Sequence, residues 1–175
     1  MTLRSSAIRA GRVAIIGAMC AATRLDIVMR GEVEQDSDDG TATLAALVRQ
    51  PELSHVRAVL LKGITLAGFN VVDIHALHDT LGVPVLVVLR RPPRWEKLDA
   101  ALQHLPGYVA KRAVIASASP IEPCGPLWVQ RAGLSLEEAA DCLKRTTLHG
   151  SLPEALRLAH LIASGVTLGL SRGHA

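Results

Sequence analysis

Aromatic residues are almost missing from this chain: its 175 residues include two Trp, one Tyr and one Phe, so aromatics make up 2%. Hydrophobic residues nevertheless make up 49%. The core must therefore be built from Val, Leu, Ile and Ala, a composition typical of parallel strands covered by helices on both faces. The length favours one domain over residues 1–175.

Cysteine is also scarce. Cys20, Cys124 and Cys142 are far apart, odd in number and without CxxC spacing. This argues against a disulfide framework and a structural zinc site, and it favours reduced thiols in the cytoplasm. Because no apolar run reaches the roughly 20 residues that a membrane-spanning helix needs, we expect no membrane association.

The amino-terminal region has no acidic residue before Asp26, and Arg4, Arg9 and Arg12 precede the apolar residues 13–22. This composition is similar to that of a signal or transit peptide. The alternative, which we favour, is a β-hairpin with strands over 12–21 and 25–34.

Hydrophobic periodicity and Gly/Pro punctuation divide the rest of the chain into short elements. They predict helices over 41–50, 71–81 and 95–105, and strands over 56–61, 84–89, 113–117 and 127–130. Residues 135–138 and 151–154 both fit the capping box, so they predict the starts of two further helices. We expect the second of these to end at Gly165.

Lys62 lies at the carboxyl end of the strand over 56–61, directly before a glycine-rich turn. Open α/β folds usually place their chemistry at this point. The net charge of +3 permits nucleic acid as a partner without requiring it. Arg90, Arg91 and Arg94, at the exit of the strand over 84–89, are either phosphate contacts or part of a solvated loop.

Several segments resemble the endonuclease dU family, which is in turn similar to endonuclease V. They are residues 12–17 and 33–41, LLKGITLAGFNVVDIHALHDTLGVPVLVV, WVQRAGLSLEEAA and LPEALRLAHLIASGVTLGLSRG. The resemblance implies an α/β, ribonuclease H-like fold of three layers, with a mixed central sheet and helices on both faces. It also implies cleavage of deoxyuridine-containing DNA with Mg²⁺ or Mn²⁺, held by carboxylates on adjacent strands.

The chain departs from the family pattern where the metal should bind. Lys62 stands in place of an aspartate before Gly-Ile-Thr, and the first strand, which ends in two aspartates in the family, is short or missing. Asp36 and Asp39 align with the acidic motif after the hairpin. They are the candidate metal ligands and, with Lys62, the candidate catalytic residues. The alternative for Asp39, with Thr41, is a helix cap beside a solvated turn.

The resemblance leaves three functions open. The first is a DNA repair endonuclease of impaired activity. The second is a non-catalytic paralogue in which Lys62 and the three arginines contact DNA phosphates, with Asn70 and Arg172 as further contacts. The third is a degenerate relic of the fold, or an oligomeric partner, with no role on nucleic acid. Formation of a homo-oligomer is left open under each of the three.

The short first strand has a structural consequence, because this strand is central in ribonuclease H-like sheets. Without it, two inner sheet edges would be left unpaired. We expect the hairpin to pair with the strand over 56–61, or residues 3–8 to form a short substitute.

Overall fold

The computed structural model describes residues 7–9 and 11–171. Its strands are β1 (Ala7–Arg9), β2 (Arg12–Ala21), β3 (Arg24–Glu34), β4 (Val59–Leu61), β5 (Thr65–Leu66), β6 (Asn70–Val71), β7 (Val85–Leu89), β8 (Glu122–Cys124) and β9 (Leu127–Ala132). Its α-helices are α1 (Gly40–Val48), α2 (Ile74–Leu81), α3 (Trp95–Leu102), α4 (Tyr108–Ser117), α5 (Leu136–Thr146) and α6 (Glu154–Leu168). A short 3₁₀ helix covers Pro51–Leu53.

The amino-terminal hairpin is confirmed. β2 and β3 pair antiparallel from Arg12 opposite Glu34 to Ala21 opposite Arg24. The short strand β1 also pairs antiparallel with β2, with Ala7 opposite Val13. A short strand therefore borders the hairpin close to the range predicted for a substitute.

The central sheet is mixed and has the strand order β4-β7-β9-β8. β4 and β7 run parallel, whereas β9 is antiparallel to both β7 and β8. β5 and β6 form a separate two-stranded hairpin, and the three sheets are hydrogen-bonded separately within the described ranges. The parallel pair β4 and β7 directs the carboxyl ends of both strands to one edge.

Helices cover both faces of the central sheet. Successive side chains of a strand point to opposite faces of the sheet, so a single strand contributes to the cores on both sides. Val85 and Val87 of β7 pack in a core that includes Leu44 of α1 and Leu77 of α2. Leu86 and Val88 of the same strand pack in a second core, which includes Leu143 of α5 and Leu156 of α6. The predicted three layers are present, and nearly all of their buried side chains are aliphatic.

The strand predicted over 113–117 is wrong, because these residues are the second half of helix α4. A short apolar run has the same appearance in a buried strand and in a helix segment. Here the helix begins at Tyr108. Its residue Lys111 is buried, and Val114 and Ile115 pack against the core.

Helix α6 also differs from its prediction at both ends. It begins at Glu154 after Pro153, without a side-chain cap, so the predicted capping box at residues 151–154 is absent. The helix continues through Gly165 and ends at Gly169, which has φ 72°. The capping box of α5 is confirmed, with Ser135 and Glu138 bonded reciprocally. No helix in the described part of the chain is long and apolar enough to cross a membrane.

Candidate nucleic-acid site

Two predicted phosphate contacts follow the parallel strands at one edge of the central sheet. Leu61 pairs with Val87, and Lys62 directly follows β4. Arg90 directly follows β7 and is exposed, whereas Lys62 is half-buried. If the β4–β7 register is extended by one residue, Lys62 lies opposite Val88. Arg90 is two residues further along, or roughly 7 Å in the strand direction. The structure therefore brings Lys62 and Arg90 to the same edge.

The connection from β7 to α3 carries the other two arginines. Arg91 is exposed, and Arg94 is exposed at the N-cap position of α3, where its side chain makes no capping bond. We call Lys62, Arg90, Arg91 and Arg94 the basic edge.

The acidic turn, residues 36–39, lies against the loop between β5 and β6. The Asp36 backbone N–H donates to the carbonyl of Ala67 at 3.1 Å, and Asp36 Oδ1 accepts from the N–H of Phe69 at 2.7 Å. Gly68 has φ 85°, and a Cβ placed on it would lie 2.2 Å from Asp36 Oδ1. Only glycine fits this approach, so Asp36 holds the two loops together.

Asn70 lies at the centre of this contact and is fully buried, with 0% exposure. Its Nδ2 donates to the Glu34 carbonyl at 3.0 Å and to Asp39 Oδ1 at 2.6 Å. Its Oδ1 accepts from the N–H of Gly40 at 2.9 Å. Asn70 was predicted to contact DNA, but in this conformation its amide is used inside the fold.

Asp39 occupies the N-cap position of α1, but its carboxylate does not cap that helix. It accepts from the N–H of Glu34 and from the Asn70 amide instead. The Thr41 hydroxyl accepts from the N–H of Asp73 at 3.0 Å, and Asp73 in turn caps α2. The polar side chains around α1 thus connect the starts of two helices.

Lys111 reaches the acidic turn from α4. Its side chain is 1% exposed, and its Nζ donates to the Ser37 carbonyl at 2.8 Å and to the Asp38 carboxylate. Asp38 itself is 68% exposed. The sequence did not indicate a role for Lys111. With a strand predicted over 113–117, there was no helix at Tyr108–Ser117 to place Lys111 on a buried face.

Arg172 was predicted as a further DNA contact and lies outside the described residues. Glu154 is almost fully buried at the start of α6, and its carboxylate receives hydrogen bonds from Arg157 at 2.7–3.1 Å. The bond from Arg157 holds the pKa of Glu154 below its ordinary value. This acid therefore stabilises the first turn of α6.

The family assignment comes from a match over most of the chain. Residues 4–167 match the family model described as Endonuclease dU. The chain belongs to the Endonuclease dU family. Its relatives include the UPF0215 proteins of Deinococcus radiodurans, 48% identical over 93% of this chain and 84% of that protein, and of Methanosarcina barkeri, 38% identical over 97% and 91%.

Two solved structures show how this Endonuclease dU chain folds. A protein of unknown function from Archaeoglobus fulgidus matches with TM-score 0.87 and 31% identity, covering 94% of this chain and 95% of that one. Endonuclease V of Ciona intestinalis, in complex with inosine-containing DNA, matches with TM-score 0.57 and 12% identity, covering 94% and 82%. The predicted ribonuclease H-like fold is confirmed, and it is that of endonuclease V.

In the part of this Endonuclease dU member that the structure describes, the acids of the turn do not fit a divalent metal ion. Asp36 and Asp39 accept from donors within the fold, and Asp38 pairs with Lys111. No group of three or more His, Cys, Asp and Glu residues with metal-binding geometry occurs in the described ranges. Lys62 adds a positive charge directly after β4.

Proposed function

We propose that this protein binds DNA through the basic edge and does not cleave it by a metal-dependent mechanism. The observation that carries the proposal is the position of Lys62, at the carboxyl end of the parallel strand β4 and at the same edge as Arg90. This edge is where open α/β sheets bind their ligands.

Electrostatics favour a polyanion over a metal ion at this edge. Two unit charges about 4 Å apart interact by about 4 kcal/mol at an effective dielectric constant of about 20, and a divalent cation would meet about twice that repulsion from a lysine. A phosphate at the same distance is attracted. Each phosphate neutralised by Lys or Arg also releases condensed counterions, which makes the binding dependent on salt.

The family name suggests that the DNA contains deoxyuridine, and we propose uracil-containing DNA as the preferred ligand. Recognition without cleavage is a sensing or scaffolding role in DNA repair. A cytoplasmic location is consistent with Cys20, Cys124 and Cys142, all of which are free thiols.

Two measurements on matched uracil-containing and thymine-containing duplexes test the proposal: strand nicking and retention on the protein. We expect retention that weakens with salt and no nicking with Mg²⁺, Mn²⁺ or chelator. Replacing either Lys62 or Arg90 by Ala should reduce the magnitude of the negative slope of log K against log salt by about 1. Arg145→Ala is the matched control, because Arg145 is exposed on α5 and pairs with Asp141.

A second candidate function, cleavage of uracil-containing DNA, is supported by the family match over residues 4–167. In that case Lys62 would stabilise negative charge on the scissile phosphate as a point charge. Nicking at uracil that needs Mg²⁺ or Mn²⁺ and is lost in Lys62→Ala would establish this function. Absence of retention on every duplex would refute binding of duplex DNA through the basic edge.

A further inference from the structure

A cleft of about 590 Å³ opens between α3, α4 and the segment over residues 118–121. Its apolar wall includes Leu102, Ile115 and Ile121. The volume is within the range of roughly 300–1,000 Å³ that is usual for small-molecule pockets. None of the hydrogen bonds that stabilise the acidic turn involves these residues, so this cleft is distinct from that turn.

Trp95 lies at the mouth of the cleft and is 47% exposed. The chain contains only four aromatic residues, and the core is built almost entirely from aliphatic side chains. Trp95 is therefore not used to fill the core. An exposed Trp beside an apolar cleft provides a flat surface for stacking a planar ligand.

The class of ligand follows from arginines that lie beside the cleft and outside its lining. The lining itself carries Arg112, Glu96 and Asp99, and Arg112 pairs with Asp99. Trp95 is the first residue of α3 and directly follows Arg94, and Arg90 and Arg91 precede it in the same connection. A ligand that stacks on Trp95 and contacts the neighbouring arginines needs a planar, apolar group bonded to a phosphate. A nucleotide has both parts.

Polar side chains at the cleft are held in fixed positions. Gln130 is 3% exposed, and its Nε2 donates to the Ser119 carbonyl at 2.8 Å. At the rim, Arg112 Nε lies 3.1 Å from Asp99 Oδ1. These bonds fix the shape of the cleft, so a ligand would be held through its apolar wall and Trp95.

We propose that the cleft receives an unstacked base of single-stranded DNA, which stacks on Trp95 while the neighbouring phosphates contact Arg90, Arg91 and Arg94. The inference rests on the proposed DNA binding and adds a base site to it. The base must be unstacked, because a base within a duplex does not expose its face.

The first test measures the affinity of fluorescently labelled oligo-dT by anisotropy. Trp95→Ala should weaken binding about tenfold, since loss of one base stack removes about 1–3 kcal/mol. Trp95→Phe should retain most of the affinity. The matched control is Val109→Ala, because Val109 is a 76% exposed apolar residue of α4 outside the cleft. Equal affinities of the Trp95→Ala variant and the parent would overturn the inference.

The second test uses tryptophan fluorescence in a Trp128→Phe background, where Trp95 is the only tryptophan. Saturating oligo-dT should quench the emission of Trp95, and unchanged emission would overturn the inference. If the Trp128→Phe variant fails to fold, quenching is measured as the difference between the parent and Trp95→Ala. Thymidine monophosphate should bind far more weakly than the strand, and equal affinity would show a free-nucleotide site instead.

The two proposals can fail separately. Failure of the parent to bind oligo-dT overturns the base site, while salt-dependent retention of duplexes would keep the proposed function. Conversely, oligo-dT binding that requires Trp95 supports the base site even where no uracil-containing duplex is retained.

Discussion

Replacing Asn70 by Ala should strongly destabilise the fold, and the size of the effect follows from three hydrogen bonds. The Asn70 amide donates to the Glu34 carbonyl and the Asp39 carboxylate, and it accepts from the N–H of Gly40. All three bonds are made by a side chain that is 0% exposed. Alanine can replace none of them.

Each of these bonds is worth about 1 kcal/mol, and a partner left buried without a bond costs about 1–3 kcal/mol. We therefore expect the free energy of unfolding to fall by about 3–5 kcal/mol. For a chain of this size the melting temperature should fall by about 6–20 °C. This loss is a large fraction of the 5–15 kcal/mol that is typical of folded proteins.

Urea unfolding followed by circular dichroism measures the change. The midpoint should shift down by about 2 M, given a typical slope of about 2 kcal/mol/M. Gln103→Ala is the control, since it removes an exposed amide that donates to Asp99 at 3.3 Å. We expect it to change stability by less than about 0.5 kcal/mol. A free energy of unfolding for Asn70→Ala within that same margin of the parent would refute the reasoning.

Three further predictions concern single side chains. Lys111→Met should lower the free energy of unfolding, measured with urea, by about 1–2 kcal/mol, because the variant keeps the buried apolar stem and loses two hydrogen bonds. Lys111→Ala also loses the buried apolar contact, so it should lower the free energy of unfolding further. Ser135→Ala should lower stability by about 1 kcal/mol by removing the α5 cap, measured against Ser54→Ala. Because Arg157 lowers the pKa of Glu154, ionised Glu154 stabilises the fold above the unfolded-state pKa of about 4.3, and this contribution should disappear as pH falls below it.

Two results would contradict the predictions for Lys111 and Glu154. Equal stabilities for the two Lys111 variants would show that its apolar stem contributes nothing. A Glu154→Gln variant that loses stability on acidification as steeply as the parent would show that the carboxylate of Glu154 is not the group being titrated.

The sequence was sufficient for elements that have strong local signals. The β2–β3 hairpin, the strand before Lys62 and the Ser135 capping box could be predicted, because alternation, glycine punctuation and cap chemistry are encoded within a few residues. Helix α4 could not be predicted, because the four apolar residues over 113–116 are too few for their length or period to exclude a strand.

The bonds of the acidic turn could not be predicted for a different reason. Asp36 and Asp39 look like metal ligands when only their residue types and the family alignment are known. Their partners Phe69 and Asn70 are 33 and 31 residues away in sequence, so only the tertiary fold shows that the carboxylates are already hydrogen-bonded.

The contact between Lys111 and Asp38 joins residues that are 73 positions apart. Closing so long a loop is entropically unfavourable until the intervening strands have assembled, so this contact forms late in folding. It should also open early, because α4 makes few contacts with the rest of the fold and Asp38 is exposed. Because Lys111 binds a carbonyl and a carboxylate of the turn, amide hydrogen exchange of the α4 backbone should report when α4 separates from the acidic turn.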